Sequence, residues 1–236
     1  VFKLLHIKTN QLWRKVRNGV NGKRERDIRN GFGLPFRYTL KTLLDGMRHP
    51  AWSYDFLKHG APGLGNMTSS EAQTPQAKAA LLQRSMESSF DWEDLKRLRE
   101  RWPKKLIVKG VLSADDIRKC VECGVDAVIL SNHGGRQLDT AISAFEALQL
   151  LSFPQPIPIL LDGGIRRGRD IVKAVALGAT SVLTGRAVLY GLASHGEAGA
   201  LEALRILKDE FRNSLTQLGC ASVSQLSTQH VHTKEV

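Results

Sequence analysis

From Asp91 onward the chain alternates two rhythms of apolar and polar positions. Short apolar runs at Leu106 to Val111, Ala127 to Asn132, Pro158 to Gly164 and Ser181 to Arg186 predict buried parallel strands. Between them, helical spacing runs over Asp91 to Arg101, Ser113 to Cys123, Ala141 to Leu151 and Arg169 to Leu177, and a long closing helix covers 196–218. Asp91 and Ser113 are N-cap residues, and Gly178 is a C-cap for the helix before it. Four strands alternating with helices predict a right-handed parallel α/β array. A doubly wound sheet and a (β/α)8 barrel both fit that pattern.

Upstream the pattern loosens. Phe2 to Ile7 predicts a strand, and Arg14 to Arg29 is basic and interrupted by Gly19 and Gly22. Residues 31–70 are rich in Gly, Pro and aromatics, with one short helix predicted over 39–44 and a second after Pro50, through Trp52 and Phe56. A long excursion of this kind in a compact domain is commonly a lid or binding loop. Residues 71–90 are helix-prone, and the tail from Ser222 is polar. The expected organisation is a divergent basic segment over 1–30, the excursion over 31–70, an α/β body over 71–221 and a polar tail over 222–236.

Each strand in the regular region ends in residues that carry chemistry. These ends are Lys109-Gly110, Ser131 to Asp139, Asp162 to Arg166, and Gly185-Arg186. In parallel α/β folds, sites form past the C-terminal ends of strands. His133 exchanges a proton near neutral pH, and Arg136 offers a planar fork for a carboxylate. Two readings of Ser131 to Asp139 stand side by side: a catalytic loop, and a helix-capping loop with solvated side chains. Gly163, Gly164 and Gly185 offer backbone N–H groups, and Arg166 and Arg186 offer charge, for a phosphate between the last two loops. A phosphate there favours the barrel, although four strands cannot close one of eight.

Composition narrows the classes. The chain has 236 residues, and its apolar share of 42% is ordinary for a soluble globular protein. With no apolar run approaching a membrane span and no secretory signal pattern at Val1 to Leu12, an intracellular protein is expected. Residues 1–70 hold thirteen Lys and Arg against four Asp and Glu, while the remainder holds 21 against 19. The basic start reads as a solvated segment first, a membrane-surface patch second and a nucleic-acid patch third. Three cysteines exclude a disulfide framework. Cys120 and Cys123 form C-x-x-C inside a predicted helix, with no second ligand pair, so they read as small core residues.

Four ordered motifs then carry a resemblance. They are Leu106-Ile107-Val108-Lys109-Gly110, Ser131-Asn132-His133-Gly134-Gly135-Arg136-Gln137-Leu138-Asp139, Asp162-Gly163-Gly164-Ile165-Arg166-Arg167-Gly168 and Leu183-Thr184-Gly185-Arg186-Ala187. With them the chain resembles the FMN-dependent α-hydroxy-acid dehydrogenases and oxidases. Asn21 to Asp27 and His49-Pro50-Ala51-Trp52 look most like the mandelate dehydrogenase branch.

The resemblance implies the C-terminal part of a (β/α)8 barrel that binds FMN and oxidises a small 2-hydroxy acid, mandelate-like or lactate-like, to the 2-oxo acid. It implies His133 as the base, Arg136 as the carboxylate clamp and Lys109 beside the flavin N1–O2 edge. Ser131 is implied as a hydrogen-bond partner of the isoalloxazine. Asp162, Gly163, Gly164, Ile165, Arg166, Gly185 and Arg186 are implied as the grip on ribityl and phosphate. It further implies a quinone acceptor, peripheral contact at the inner face of the cell membrane from an otherwise cytoplasmic protein, a homo-oligomer and no nucleic acid.

The resemblance runs from about Val20 to about Leu218. The family's earlier βα units, which supply two active-site tyrosines, have no counterpart upstream of Val20. Its strand-four Asp falls on Arg17 or a neighbour within Lys15 to Asn18. Rival readings are a truncated, inactive relic of the family and a basic nucleic-acid-binding module.

Overall fold

The computed structural model describes residues 29–30, 39–60, 90–138 and 140–232, together with the backbone of 3–6. The helix-prone stretch 71–89, the basic stretch 14–28, the segment around Arg17 and Asp139 lie outside the described residues. The chain divides into two compact units, one of Val1–Val16 with Phe90–Val236 and one of Arg17–Ser89.

Among its described residues the smaller unit has two helices, α1 (Leu40–Arg48) and α2 (Pro50–His59), where the two short helices were expected. Thr39 and Thr42 form a capping box that starts α1, and Pro50 occupies the first turn of α2, where its missing N–H costs nothing. Ser53 Oγ donates to Gly46 O at 2.7 Å, and this bond pins the two helices to each other. Neither helix buries a residue. Leu40, Leu43, Leu44, Met47, Trp52, Tyr54 and Leu57 are all exposed, Leu57 by 83%.

The larger unit is a five-stranded, wholly parallel sheet in the order β1 (Lys3–His6), β2 (Leu106–Val111), β3 (Ala127–Leu130), β4 (Ile159–Asp162), β5 (Ser181–Leu183). The order never reverses. A doubly wound sheet has a reversal and a switch point, so the arrangement is a sector of a singly wound barrel wall. The strand expected near the N-terminus joins it, with Lys3 opposite Leu106 and His6 opposite Lys109.

Crossover helices α3 (Trp92–Arg101), α4 (Ala114–Glu122), α5 (Ala144–Gln149) and α6 (Gly168–Ala176) pack one face of that sheet. Leu106, Val108, Val128, Leu130, Ile159 and Leu161 face them, in a core shared with Leu95, Ile117, Leu148 and Ala174. Three of the four begin at an N-cap residue whose side chain accepts a backbone N–H: Asp91 with Asp94, Ser113 accepting from Asp116 N, and Ser143 with Glu146. The Ser143 cap explains why α5 starts three residues later than Ala141. Asp126 pins the start of the sheet. Its carboxylate accepts from Leu106 N at 2.9 Å, Arg99 Nη1 at 2.8 Å and Lys105 Nζ at 2.7 Å.

Strand parity sends Ile107, Lys109, Ile129, Ser131, Leu160 and Asp162 to the other face. A bulge at Gly110 (φ 104°) interrupts β2, so that Lys109 pairs with Ile129 but Val111 pairs with Leu130. The extra residue returns Val111 to the core, where it is 1% exposed.

The closing helix differs most from expectation. Helix α7 spans Arg186–Gln217, ten residues longer at its start, and breaks at His195 (φ −140°) and Gly196 (φ 60°). The two arms fold so closely that a Cβ on Gly191 would stand 2.2 Å from Gly199 O. Gly168 meets the second arm in the same way, 2.2 Å from Phe211 N. Among the described residues no helix is long and apolar enough to cross a membrane. After Cys220 the described residues form two 3-10 turns, Val223–Gln225 and Thr228–His230. Their backbone is closed by Gln225, whose Oε1 accepts from Ala221 N at 2.6 Å, and by His230, whose Nδ1 accepts from Ser227 N at 3.1 Å. Cys120 and Cys123 both lie in the core, and burial pushes the Cys120 thiol up to about 12.

Candidate functional site

The C-terminal ends of β2, β3 and β4 bring three expected residues into direct contact. Lys109 Nζ stands 2.6 Å from Asp162 Oδ2 and donates to Ser131 Oγ at 3.0 Å. Ser131 Oγ donates to the same Asp162 oxygen at 2.9 Å. Lys109 and Ser131, at 7% and 0% exposure, are the buried polar residues of the described chain. A buried ammonium needs a carboxylate and hydrogen-bond acceptors, and this group supplies both.

The loop after β3 hangs from the same group. His133 N donates to Ser131 Oγ at 3.1 Å. The ladder ends at Leu130, two residues before the expected end, because the chain turns at Ser131 into a 3-10 turn over His133–Gly135. His133 adopts φ 58°, the one positive value at a non-glycine among the described residues, followed by Gly134 at 67° and Gly135 at 73°. Three successive left-handed residues are held by Asn132, whose Oδ1 accepts from Gly134 N at 3.0 Å and Gly135 N at 3.3 Å. The sequence reading gave Asn132 no role, although Asn before Gly-Gly is a side-chain-capped turn signature.

Arg186 approaches this loop from the end of β5. A Cβ on Gly134 would lie 2.9 Å from Arg186 Nη2, so the missing side chain is what admits the guanidinium. The two following loops are tied together by Thr184 Oγ1, which donates to Ile165 O at 3.3 Å. Thr184 therefore leaves the strand, which stops at Leu183 and not at Arg186. Gly163 (φ 111°) and Gly164 (φ 80°) turn the chain between Asp162 and buried Ile165. Arg166 N and Arg167 N both donate to Asp170 Oδ2, at 3.0 and 2.9 Å, which caps α6. Gly185 is the N-cap residue of α7, with open space around its Cα, beside the exposed Arg186. Backbone N–H groups of a helix start, glycines without side chains and an arginine are the kinds of group that can hold an anion.

Not every expected residue joins. Arg136 is exposed and gives its backbone N–H to His133 O at 3.4 Å, while its guanidinium stands outside the Lys109–Ser131–Asp162 group. The Arg166 side chain is exposed and lines a cavity of about 240 Å³ with Arg167, Ala187, Tyr190 and Leu207 on the α7 side. Arg167, next to it, is exposed and forms an ion pair with Glu210. Ser131 was expected to bond a ligand. Its one proton and two lone pairs are taken by Asp162, Lys109 and His133 N, so a bond to any further group replaces one of these.

The sequence profile of a family described as FMN-dependent dehydrogenase matches residues 8–233. That span is wider at both ends than the stretch from Val20 to Leu218. The chain is 49% identical over all its 236 residues to (S)-mandelate dehydrogenase from Pseudomonas putida, of which it covers 60%. It is 41% identical over 214 residues to a putative L-lactate dehydrogenase from Mycobacterium tuberculosis, of which it covers 51%. Among solved structures it is similar to a monotopic membrane protein, (S)-mandelate dehydrogenase, with a TM-score of 0.91 and 48% identity over 99% of this chain and 60% of the other. The chain thus spans about 60% of the length of the first of these relatives.

Proposed function

The chain belongs to the FMN-dependent dehydrogenase family, and from that premise we propose that it is the C-terminal, site-bearing part of a 2-hydroxy-acid dehydrogenase acting on a mandelate-like or lactate-like substrate. One observation carries this reading. A buried lysine, a buried serine and an aspartate meet at the ends of three neighbouring parallel strands, and the backbone of His133 hangs from the serine.

FMN suits the residues present. Its phosphate fits the cradle of Gly163, Gly164, Gly185 and Arg186, where two positive-φ glycines and a helix N-cap leave room for an anion. Lys109 supplies the buried cation that a flavin ring edge takes up with added negative charge. Bound FMN supplies the two-electron acceptor for oxidation of the hydroxy acid. Asp162 and Ile165 would complete the grip on ribityl and phosphate; Arg166 would reach it only by leaving the cavity on the α7 side, and Ser131 would touch the ring only in exchange for one of its three present bonds. His133 takes up the substrate proton at its imidazole, from a backbone held in the left-handed region at φ 58°. Arg136, exposed at the loop, is free to fork onto the substrate carboxylate.

Helices α1 and α2 support a peripheral contact with an anionic membrane surface, which fits a quinone acceptor and a protein otherwise on the cytoplasmic side. A homo-oligomer belongs to the same reading. The non-catalytic alternative is favoured by the share of the relatives that the chain spans, because substrate and flavin contacts in the uncovered part are not supplied by it.

A visible absorption spectrum of the purified chain with FMN, before and after anaerobic (S)-mandelate or L-lactate, separates the two. Retained flavin that bleaches supports the enzyme. Flavin that washes away on gel filtration leaves the non-catalytic reading.

A further inference from the structure

We propose that Ser131 is a positioning residue that couples the Lys109 ammonium to the backbone conformation of His133. The roles of those two residues rest on the function proposed above, but the coupling is a property of the chain itself. A serine hydroxyl has one proton and two acceptor lone pairs. Around Ser131 Oγ stand Asp162 Oδ2 at 2.9 Å, Lys109 Nζ at 3.0 Å and His133 N at 3.1 Å. An ammonium and a backbone N–H have no lone pair to offer. The hydroxyl proton is therefore committed to Asp162 by elimination, and its two lone pairs face Lys109 and His133 N. Asp162 sets the direction of the hydroxyl. The hydroxyl in turn fixes one donor of the buried cation and the N–H of a residue held at φ 58°.

His133 adopts that conformation at a cost on the order of 1 kcal/mol for a residue with a Cβ. It persists only where the surroundings over-determine it. Asn132 fixes Gly134 and Gly135 on one side, and Ser131 fixes His133 N on the other. Ser131 is fully buried, so water cannot replace it as the acceptor. Loss of the hydroxyl thus frees two donors at once, one on the cation and one on the loop. Movement of Lys109 and relaxation of the His133 backbone become a single event.

The test uses the 236-residue chain without added cofactor and reads two sites by NMR. The first readout is amide hydrogen exchange at His133. The second is the side-chain ¹⁵Nζ and ¹³Cε signal of Lys109 in the uniformly labelled, chemically unmodified chain, assigned by its loss in Lys109→Arg. Ser131→Ala is expected to accelerate His133 exchange at least about tenfold, from loss of one buried hydrogen bond. The strand amides of Val108 and Val128 stay as in the unsubstituted chain, and the Lys109 signal shifts. Ser131→Thr, which keeps the hydroxyl, restores both. Ser131→Cys keeps the volume and weakens the acceptor, so its intermediate effect on both sites serves if the alanine variant does not fold. A variant that moves one readout and leaves the other unchanged, or moves neither, overturns the coupling. Failure of the chain to retain FMN sinks the enzyme reading and leaves these two readouts intact.

Discussion

The ammonium of Lys109 lies 2.6 Å from Asp162 Oδ2, a buried cation on β2 paired with a carboxylate on β4 across the intervening strand. Their side chains are 9% and 23% exposed, so water screens the pair only partly. Removing one partner strands the other. Lys109→Met is expected to destabilise the chain by roughly 2–4 kcal/mol, below the full penalty for a wholly buried pair because Asp162 keeps some water. Lys109→Arg is expected to recover part of it. Urea unfolding followed by circular dichroism measures both, and equal midpoints for Met and Arg would exclude the charge as the cause.

The contact of Gly134 with Arg186 has its own test. Alanine at Gly134 meets a left-handed backbone and, in addition, an arginine nitrogen 2.9 Å from the new methyl. Alanine at Gly135 meets the same backbone strain at φ 73°, with open space around it. Each substitution is expected to cost about 1–2 kcal/mol from backbone strain. Only Gly134→Ala displaces Arg186. If Arg186 grips the FMN phosphate, Gly134→Ala weakens FMN binding by about tenfold more than Gly135→Ala, at the cost of one charge-assisted contact. Flavin fluorescence titration reads the difference, and equal affinities remove Arg186 from the cradle.

How far the sequence reached can be judged at these same residues. The apolar runs around Val108, Val128 and Leu161 locate three strands because these residues are buried against the helices on one face of the sheet. Asp91 and Ser113 mark helix starts through short-range bonds that depend on spacing alone, whereas the sequence pattern begins α5 at Ala141 and misses the Ser143 cap. The cluster at the strand ends was legible as a set of polar residues after apolar runs. The bonds within it were not, because Lys109, Ser131 and Asp162 are joined by sheet register, and register turns on a bulge at Gly110 that no local pattern announces. The first arm of α7 was also hidden. Its residues Leu189, Tyr190 and Leu192 are exposed apolar positions, which blur the two-faced pattern that identifies a surface helix.

Acid stability is expected to depend on Asp126. A hydrogen bond from Lys105, then the Leu106 N–H and Arg99, lowers its carboxyl from the ordinary 3.8 to about 2. A depressed carboxyl stabilises the fold above its unfolded pKa, and the contribution is lost as the pH falls through the folded value. The window therefore runs from about pH 4 down to about pH 2. With the side chain 24% exposed and screened by solvent, the contribution is on the order of 1–2 kcal/mol. Asp126→Asn is expected to remove this part of the acid limb and to lower stability at neutral pH, because Arg99 and Lys105 lose their counter-charge. Urea midpoints measured from pH 7 to pH 2.5 check it. A variant whose midpoint falls in parallel with that of the unsubstituted chain would show that the limb belongs to other carboxylates.

The thiols give a test of the C-x-x-C pair. Cys120, Cys123 and Cys220 are all buried, and burial pushes the Cys120 thiol up to about 12. The thiolate is the reactive form, so native Cys120 is expected to react with a disulfide reagent only as fast as the fold opens. Denaturant should release all three thiols at once. Rapid native labelling of Cys120, or protection of the pair by added zinc, would contradict a core role for it.

Membrane attachment is expected to depend on the exposed apolar side of α1 and α2. The helices are held to one another by Ser53 and Gly46 and started by the Thr39 box, so the hairpin is built without burying a leucine. Leu40, Leu44, Met47, Trp52 and Leu57 remain in water, and Trp52 stacks on Phe56 at 5.2 Å. Transfer of such side chains into an interface is worth about 0.8 kcal/mol per buried methylene, and each nearby Lys or Arg adds about 1 kcal/mol at an anionic surface. Lys41, Arg48 and Lys58 lie on the same two helices. Binding should therefore need both terms. Co-sedimentation with phosphatidylglycerol vesicles is expected at low salt and should weaken as salt rises. Trp52→Glu with Leu57→Glu should abolish it while leaving the urea midpoint of the larger unit unchanged, because neither residue packs in a core. Vesicle binding that survives both substitutions would move the contact elsewhere on the chain.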